Sequence, residues 1–402
     1  MFSAFNIIAK PSGSRCNLNC TYCFYLEKSK LYPDEKNQRM PDRVLEAYIR
    51  QYIDSQPVEE VTFVWQGGEP TLMGIEFFEK ALYLQRKYNG GKTIRNAFQT
   101  NGILLDDDWG KFLAENNFLV GISIDGPADI HDKYRRFKGG QPSFEKVMQG
   151  LGILKKYRVE FNTLTCVQRD NSCKALDVYH FLKNIGSRYM QFIPVVERVR
   201  KDANPSDQRL VSPDFQGAAD VMEWSVEPLQ YGLFLQEIFD EWVRLDVGRI
   251  FVQIFDVCLN AWYGYPAGLC LFNETCGNAL ALEQNGDLYS CDHFVYTENR
   301  LGNILDKPIL TLVNSDRQVR FGMAKKRNLP KQCQRCEFRF ICNGGCPKNR
   351  FIRTDEGESG LNYLCEGYRH FFRHIDEAMR FMVNELNNER PPANVMKWMD
   401  QR

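Results

Sequence analysis

Polar and apolar positions change period repeatedly along the first half of the chain. Val61, Phe63 and Trp65 alternate as strand residues do, whereas Leu45, Tyr48, Ile49 and Tyr52 recur at helical spacing. Read this way, the pattern predicts strands over Phe5–Lys10, Glu60–Gln66, Thr93–Gln99, Leu119–Ile124, Val159–Val167 and Arg188–Val195. Between them it predicts helices near Asp42–Ser55, Ile75–Asn89, Asp106–Asn116, Ser143–Lys156 and Ala175–Ile185. Alternation of this kind implies parallel strands joined by right-handed crossovers. Six strands are too few for a closed eight-stranded barrel, which leaves an open partial barrel or a doubly wound sheet. Both place function at the C-terminal ends of the strands.

The informative side chains follow that rule. Cys16–Cys23 follows the first strand, Gln66-Gly67-Gly68-Glu69-Pro70 the second and Gln99-Thr100-Asn101-Gly102 the third, while Ser123-Ile124-Asp125-Gly126-Pro127 closes the fourth. Any one of these glycine loops, taken alone, is equally well a simple turn. Beyond the alternating region, Lys201 to Pro213 is a polar stretch expected to be a loop, and Leu233–Val247 carries Ile238, Trp242 and Leu245 at helical spacing. From Pro266 to Tyr368 the segments are short and most of the cysteines lie there, as expected where metals replace an apolar core. Tyr368–Glu389 reads as a helix with Phe371, Phe372, Ile375, Met379 and Met382 on a packing face.

Composition narrows the function classes. The 402 residues carry 51 basic and 51 acidic side chains, a balance that argues against a nucleic-acid partner. No run approaches the roughly 18 apolar residues of a membrane span. Met1 to Lys10 lacks the features of a secretory leader, so a cytoplasmic protein is expected. Such a protein has little use for disulfides, yet the chain has 14 cysteines. Three lie within Cys16 to Cys23 and eight between Cys270 and Cys365, with Cys166, Cys173 and Cys258 apart. The two clusters suggest two metal-binding regions; Cys166 and Cys258 read as buried structural thiols. Cys173, near a helix start, has nothing else to support reactivity.

Cys16, Cys20 and Cys23 have the spacing C-x-x-x-C-x-x-C. Three thiolates on one short loop can hold three corners of a cubane and leave one iron without a protein ligand. Zinc, which favours paired ligands from two knuckles, fits this loop poorly. The motif, with aromatic Tyr22 before the last cysteine, resembles that of the radical S-adenosylmethionine (SAM) superfamily, and Gly67-Gly68-Glu69-Pro70 resembles its loop for the methionyl amino group. The resemblance implies that SAM chelates the open iron and that one electron cleaves its sulfonium to give a 5′-deoxyadenosyl radical. It also implies cofactor contacts from Tyr22, Gly67, Ser123, Arg135 and Val196.

The second region reads Cys333-x-x-Cys336, Cys342, Cys346 and Cys365, preceded by Cys270, Cys276 and Cys291. Taken alone it fits zinc and iron–sulfur equally. Its order, with the Gly286-x4-Cys291 element, resembles the SPASM extension. That resemblance implies one auxiliary [4Fe-4S] cluster on Cys270, Cys276, Cys291 and Cys346 and a second on Cys333, Cys336, Cys342 and Cys365. Three clusters would bring about twelve irons per chain. The implied fold is a partial (β/α)6 TIM-like barrel with a cysteine-rich C-terminal domain. Its expected division is 1–235 barrel, 236–265 linker helix region, 266–370 auxiliary-cluster domain and 371–402 helical tail.

Tyr289-Ser290-Cys291-Asp292-His293-Phe294, Trp65 to Pro70, Gln99 to Gly102 and Asn343-Gly344-Gly345-Cys346-Pro347 together resemble the anaerobic sulfatase-maturating enzymes. The resemblance implies oxidation of a Ser or Cys side chain in an unfolded sulfatase, or its motif peptide, to Cα-formylglycine, with Asp292 as catalytic base. A carboxylate beside an anionic cluster is expected to have a raised pKa. His293 is expected to be a positioning or surface residue rather than an acid. An electron donor such as flavodoxin or ferredoxin is implied. The rival readings are a SPASM enzyme that crosslinks a ribosomal peptide through thioether or carbon–carbon bonds, and a non-enzymatic zinc scaffold or electron-transfer protein.

Overall fold

A computed structural model describes residues 4–32, 39–201 and 210–401, so most of the polar stretch after Lys201 lies outside the described residues. The chain divides into two compact units, each discontinuous in sequence: 1–123, 131–161 and 276–323 form the first, and 124–130, 162–275 and 324–402 the second.

In the first unit, β1 (Asn6–Lys10), β2 (Glu60–Trp65), β3 (Thr93–Thr100) and β4 (Leu119–Ser123) pair in parallel in that order. Helices α1 (Asp42–Ser55), α2 (Ile75–Tyr88), α3 (Asp107–Glu115) and α5 (Phe144–Lys156) match the expected spans to within a residue at each end, and α4 (Ala128–Tyr134), of which only the part from His131 belongs to this unit, was not anticipated. The helical stripe on α1 buries Leu45, Tyr48, Ile49 and Tyr52, and Tyr48 meets Phe63 and Trp65 of β2 at 5.4 and 5.9 Å. Buried polar groups in this core are paired: the Trp65 indole donates to Asn96 at 2.8 Å, and Asn96 exchanges two hydrogen bonds of 2.9 Å with Gln85.

The sequence reading missed a strand here. Ala279–Glu283 pairs in parallel with β1 on its free edge, Asn6 opposite Ala279 and Lys10 opposite Glu283. It continues antiparallel into Asp287–Tyr289 and Arg300–Asn303. Ala-Leu-Ala-Leu-Glu is too short to show a period, and its setting among cysteines pointed to a loop-rich region instead. Leu280, Ala281, Leu282 and Glu283 are all buried, as parallel strands demand.

In the second unit, β5 (Phe161–Val167) pairs in parallel with β6 (Tyr189–Pro194), which pairs with Phe251–Val252. Two long helices, Pro228–Leu245 and Cys365–Asn387, pack together. The second begins three residues before the expected Tyr368 and buries all five predicted face residues. A side chain on Gly367 would place its Cβ 1.9 Å from the Pro228 carbonyl oxygen, so the two backbones approach closely only because this position is glycine. The crossing places Cys365 at the start of the helix.

Candidate active site

The Cys16–Cys23 loop is held from two sides. Asn19 and Thr21 donate backbone hydrogen bonds to the Arg136 and Tyr134 carbonyls at 2.8 and 3.0 Å. That contact brings the Arg135 guanidinium over the Tyr22 ring at 5.6 Å. On the other side, Gly68 and Glu69 donate to the Gly13 and Arg15 carbonyls at 2.8 and 2.9 Å. A Cβ on Gly68 would fall 2.0 Å from the Arg15 carbonyl oxygen, so the glycine is a condition of this contact. Gly67, beside it, has φ +138°.

Glu69 ties the strand ends together. Its buried carboxylate accepts from Thr71 N and Oγ1 at 3.0 and 2.7 Å, from Thr100 Oγ1 at 2.7 Å and from Asn101 N at 2.8 Å. Asn101 Nδ2 in turn reaches Cys16 Sγ at 3.7 Å and Asn17 Oδ1 at 2.7 Å. Burial pushes the Cys16 thiol up to about 12, with the Glu69 charge adding to the shift. Buried Ser12 Oγ and Asn17 Nδ2 have no protein partner, which suits a polar cofactor between these loops.

The same unit brings the third sequence signal to this loop. Phe24 packs on His293 with ring centroids 5.2 Å apart. Tyr25 donates from its hydroxyl to Glu283, and its ring lies 4.5 Å from the Lys10 ammonium. Lys10, whose side chain is 1% exposed, pairs with Asp292 at 2.6 Å. Burial raises the Asp292 carboxyl, but Lys10 first, then His293 and Lys28, outweigh it and hold it below the ordinary carboxylate range. Among the protein's own groups, the buried ammonium facing this carboxylate sets that direction.

Glu283 behaves differently. Burial pushes it up to about 7 from an ordinary 4.5, although Tyr25 and Lys10 act against the rise. The folded protein thus holds a proton that the unfolded chain releases, and this group's contribution to stability declines as pH rises from 4.5 to about 7. Glu283→Gln, which keeps the acceptor for Tyr25, is expected to flatten that decline by about 3 kcal/mol, measured by denaturant titration across pH.

In the second unit, Cys333, Cys336, Cys342 and Cys365 line one cavity of about 320 Å³ together with Tyr368. These are the four ligands expected for the second auxiliary cluster. Among the described residues, no three His, Cys, Asp or Glu side chains converge closely enough for a single ion. The shared cavity fits a group that holds four thiols apart. Tyr368 is buried and its hydroxyl has no protein partner, which suits a hydrogen bond to such a group. Tyr368→Phe is expected to stabilise the metal-free protein by about 1 kcal/mol, while the loaded protein shows a shifted auxiliary-cluster potential in redox titration.

The other expected set divides between the units: Cys276 and Cys291 lie in the first, Cys270 and Cys346 in the second. Cys276 N donates to the Gly322 carbonyl at 3.1 Å, and the Cys270 carbonyl accepts from Lys325 at 2.8 Å. Ser123, at the end of β4, is buried in the first unit. Val196 is buried in the second, where its carbonyl accepts from Lys348 at 2.7 Å.

Comparison with known proteins agrees with this geometry. The Radical SAM superfamily pattern matches residues 11–182, and the SPASM iron-sulfur cluster-binding domain matches residues 270–337. A serine-type anaerobic sulfatase-maturating enzyme of Bacteroides thetaiotaomicron is 49% identical over 97% of this chain and 94% of its own length. The chain belongs to the anaerobic sulfatase-maturating enzymes. A cysteine-type member from Clostridium perfringens is 34% identical over 95% of this chain and 98% of its own length. The solved structure of native anSMEcpe with bound AdoMet and Cp18Cys peptide superposes with a TM-score of 0.82, at 33% identity, over 95% of this chain and 99% of that one. The fold is thus the partial barrel of the radical SAM superfamily with a SPASM domain, and its cofactors are SAM and iron–sulfur clusters, auxiliary ones included.

Lys10, Tyr25 and Glu283 were missed by sequence reasoning. Lys10 left one signal, a lone charge closing the apolar strand Asn6–Lys10 at its functional end. Glu283 left none, since its strand went unrecognised. Of the remaining cysteines, Cys258 is buried and its thiol pushed well up by burial, as expected of a structural thiol. Cys166 is half-buried, its N–H donating to Asp125 at 3.0 Å, and Cys173 is exposed. No helix among the described residues is long and apolar enough to cross a membrane.

Proposed function

We propose that this chain oxidises a Ser or Cys side chain of a sulfatase polypeptide to Cα-formylglycine, with Asp292 as the base. When bound, SAM and its cluster supply the one-electron cleavage that generates a radical able to take a hydrogen atom from the substrate Cβ. Cys16, Cys20 and Cys23 would hold that cluster, and Tyr22, Gly67, Ser123, Arg135 and Val196 would contact SAM. Cys270, Cys276, Cys291 and Cys346 would hold one auxiliary cluster, and Cys333, Cys336, Cys342 and Cys365 the other. Residues 1–235 would serve as the barrel, 236–265 as linker, 266–370 as the auxiliary-cluster domain and 371–402 as the tail.

The observation that carries the reading is the Lys10–Asp292 pair, drawn to the cluster loop through Tyr25 and Phe24. Asp292 follows Cys291 directly and is held 2.6 Å from Lys10 with 16% of its side chain exposed, which places a carboxylate where it can accept the substrate's hydroxyl or thiol proton. Lys10 keeps the carboxylate oriented and balances its charge. Once the proton is lost, the substrate must give up one electron, for which the auxiliary cluster that Cys270, Cys276, Cys291 and Cys346 would hold is the acceptor, and the aldehyde forms, directly from Ser or by hydrolysis of a thioaldehyde from Cys. A flavodoxin- or ferredoxin-type protein supplies reducing equivalents, in the cytoplasm.

The test is anaerobic incubation of reconstituted protein with SAM, dithionite and sulfatase-motif peptides bearing Ser or Cys. Mass spectrometry should show conversion of at least one peptide to the aldehyde. Deoxyadenosine formation with both peptides unchanged would contradict the reading.

A further inference from the structure

The cavity of Cys333, Cys336, Cys342 and Cys365 is ringed by arginines. Arg335, Arg339 and Arg369 line it, Arg335 and Arg369 are exposed, and none of the three has an ion-pair partner among the described residues. Nearby acidic groups do not cancel them. Glu337 is taken by Arg373 at 2.7 Å, Glu358 faces Lys331, and Glu366 alone is left beside Cys365. This local excess stands in a chain of zero formal charge. Between Arg339 and Cys342, Phe340 is 49% exposed and rests edge-on against Trp262 at 4.8 Å. An apolar side chain beside unpaired cations, close to four cluster thiols, has the make-up of a small, electrostatically steered docking face.

We propose that this face docks an acidic electron-transfer protein, which exchanges single electrons with the cluster held by Cys333, Cys336, Cys342 and Cys365. The proposal rests on the function inferred above, in which cleavage of SAM takes up one electron and oxidation of the substrate returns one. The electrons therefore balance over a turnover, and the docked protein serves to start the cycle and restore electrons lost from it. Charge complementarity selects the partner: its contact surface carries carboxylates that meet Arg335, Arg339 and Arg369, and Phe340 supplies the apolar centre.

The test uses the cluster-loaded full chain and a purified acidic flavodoxin as probe, with binding followed by calorimetry and stopped-flow between low and high salt. The expected result is an association that weakens steeply with salt, and weakens about tenfold or more at low salt in the Arg335→Glu/Arg369→Glu variant. The milder Arg335→Gln/Arg369→Gln variant, checked for full iron content, should show an intermediate loss. Dithionite-driven peptide oxidation should stay unchanged in both. Flavodoxin binding indifferent to salt and to charge reversal would overturn the proposal. So would a change confined to the cluster's midpoint potential, since the arginines would then serve the cluster alone. Failure of wild-type peptide oxidation with dithionite would instead overturn the functional reading, so the two failures are distinguishable.

Discussion

Asp292→Asn should lower aldehyde formation by about 10²- to 10⁴-fold, the range for losing a general base, while iron content and deoxyadenosine production persist. The carboxamide keeps the shape of the side chain but accepts no proton at neutral pH. Asp292→Asn leaves the buried Lys10 ammonium without its counter-charge, so some stability is lost with it, but Phe24 still packs on His293 and Glu283 still accepts from Tyr25. Quantifying product by mass spectrometry, with iron analysis alongside, separates lost base chemistry from lost clusters. Aldehyde formation at the wild-type rate would remove Asp292 from the mechanism and leave the Lys10 pair a structural feature.

Lys10→Met should have the largest effect on stability. Lys10 and Asp292 form a nearly dry pair 2.6 Å apart, and removing one member leaves the other charge buried without its partner. Such losses cost about 3–5 kcal/mol, whereas replacing both members is often close to neutral. Denaturant titration should therefore show Lys10→Met strongly destabilised and the Lys10→Met/Asp292→Asn double variant largely restored. Equal and additive losses would mean that the two groups do not interact as described. In the single variant Asp292 loses the strongest influence holding its carboxyl down, so its charge is retained less readily near neutral pH.

The parts legible in the sequence were those with a long period or a fixed spacing. α1 and β2 declare themselves by their recurrence of apolar residues, and the cluster loop by three thiols in eight residues. The loops that follow β1, β2 and β3 do lie together, Gly68 against Gly13 and Asn101 beside Cys16. Ala279–Glu283 was not legible because five residues cannot reveal whether a strand joins a sheet founded some 270 residues earlier, a question that only tertiary pairing decides. The same gap hid the electrostatics of Asp292. The charge that faces it is Lys10, brought alongside by the pairing of β1 with that strand.

Cys16, Cys20 and Cys23 would hold a cluster whose fourth iron is left for SAM, and the radical chemistry depends on it. The most direct measurement is pulsed electron paramagnetic resonance of the reduced, fully loaded protein with SAM labelled at its amino nitrogen and carboxylate oxygen. The account predicts magnetic coupling of both labels to a cluster that disappears in a Cys16→Ala/Cys20→Ala/Cys23→Ala variant. Labels that remain uncoupled, with SAM shown to be bound, would contradict it.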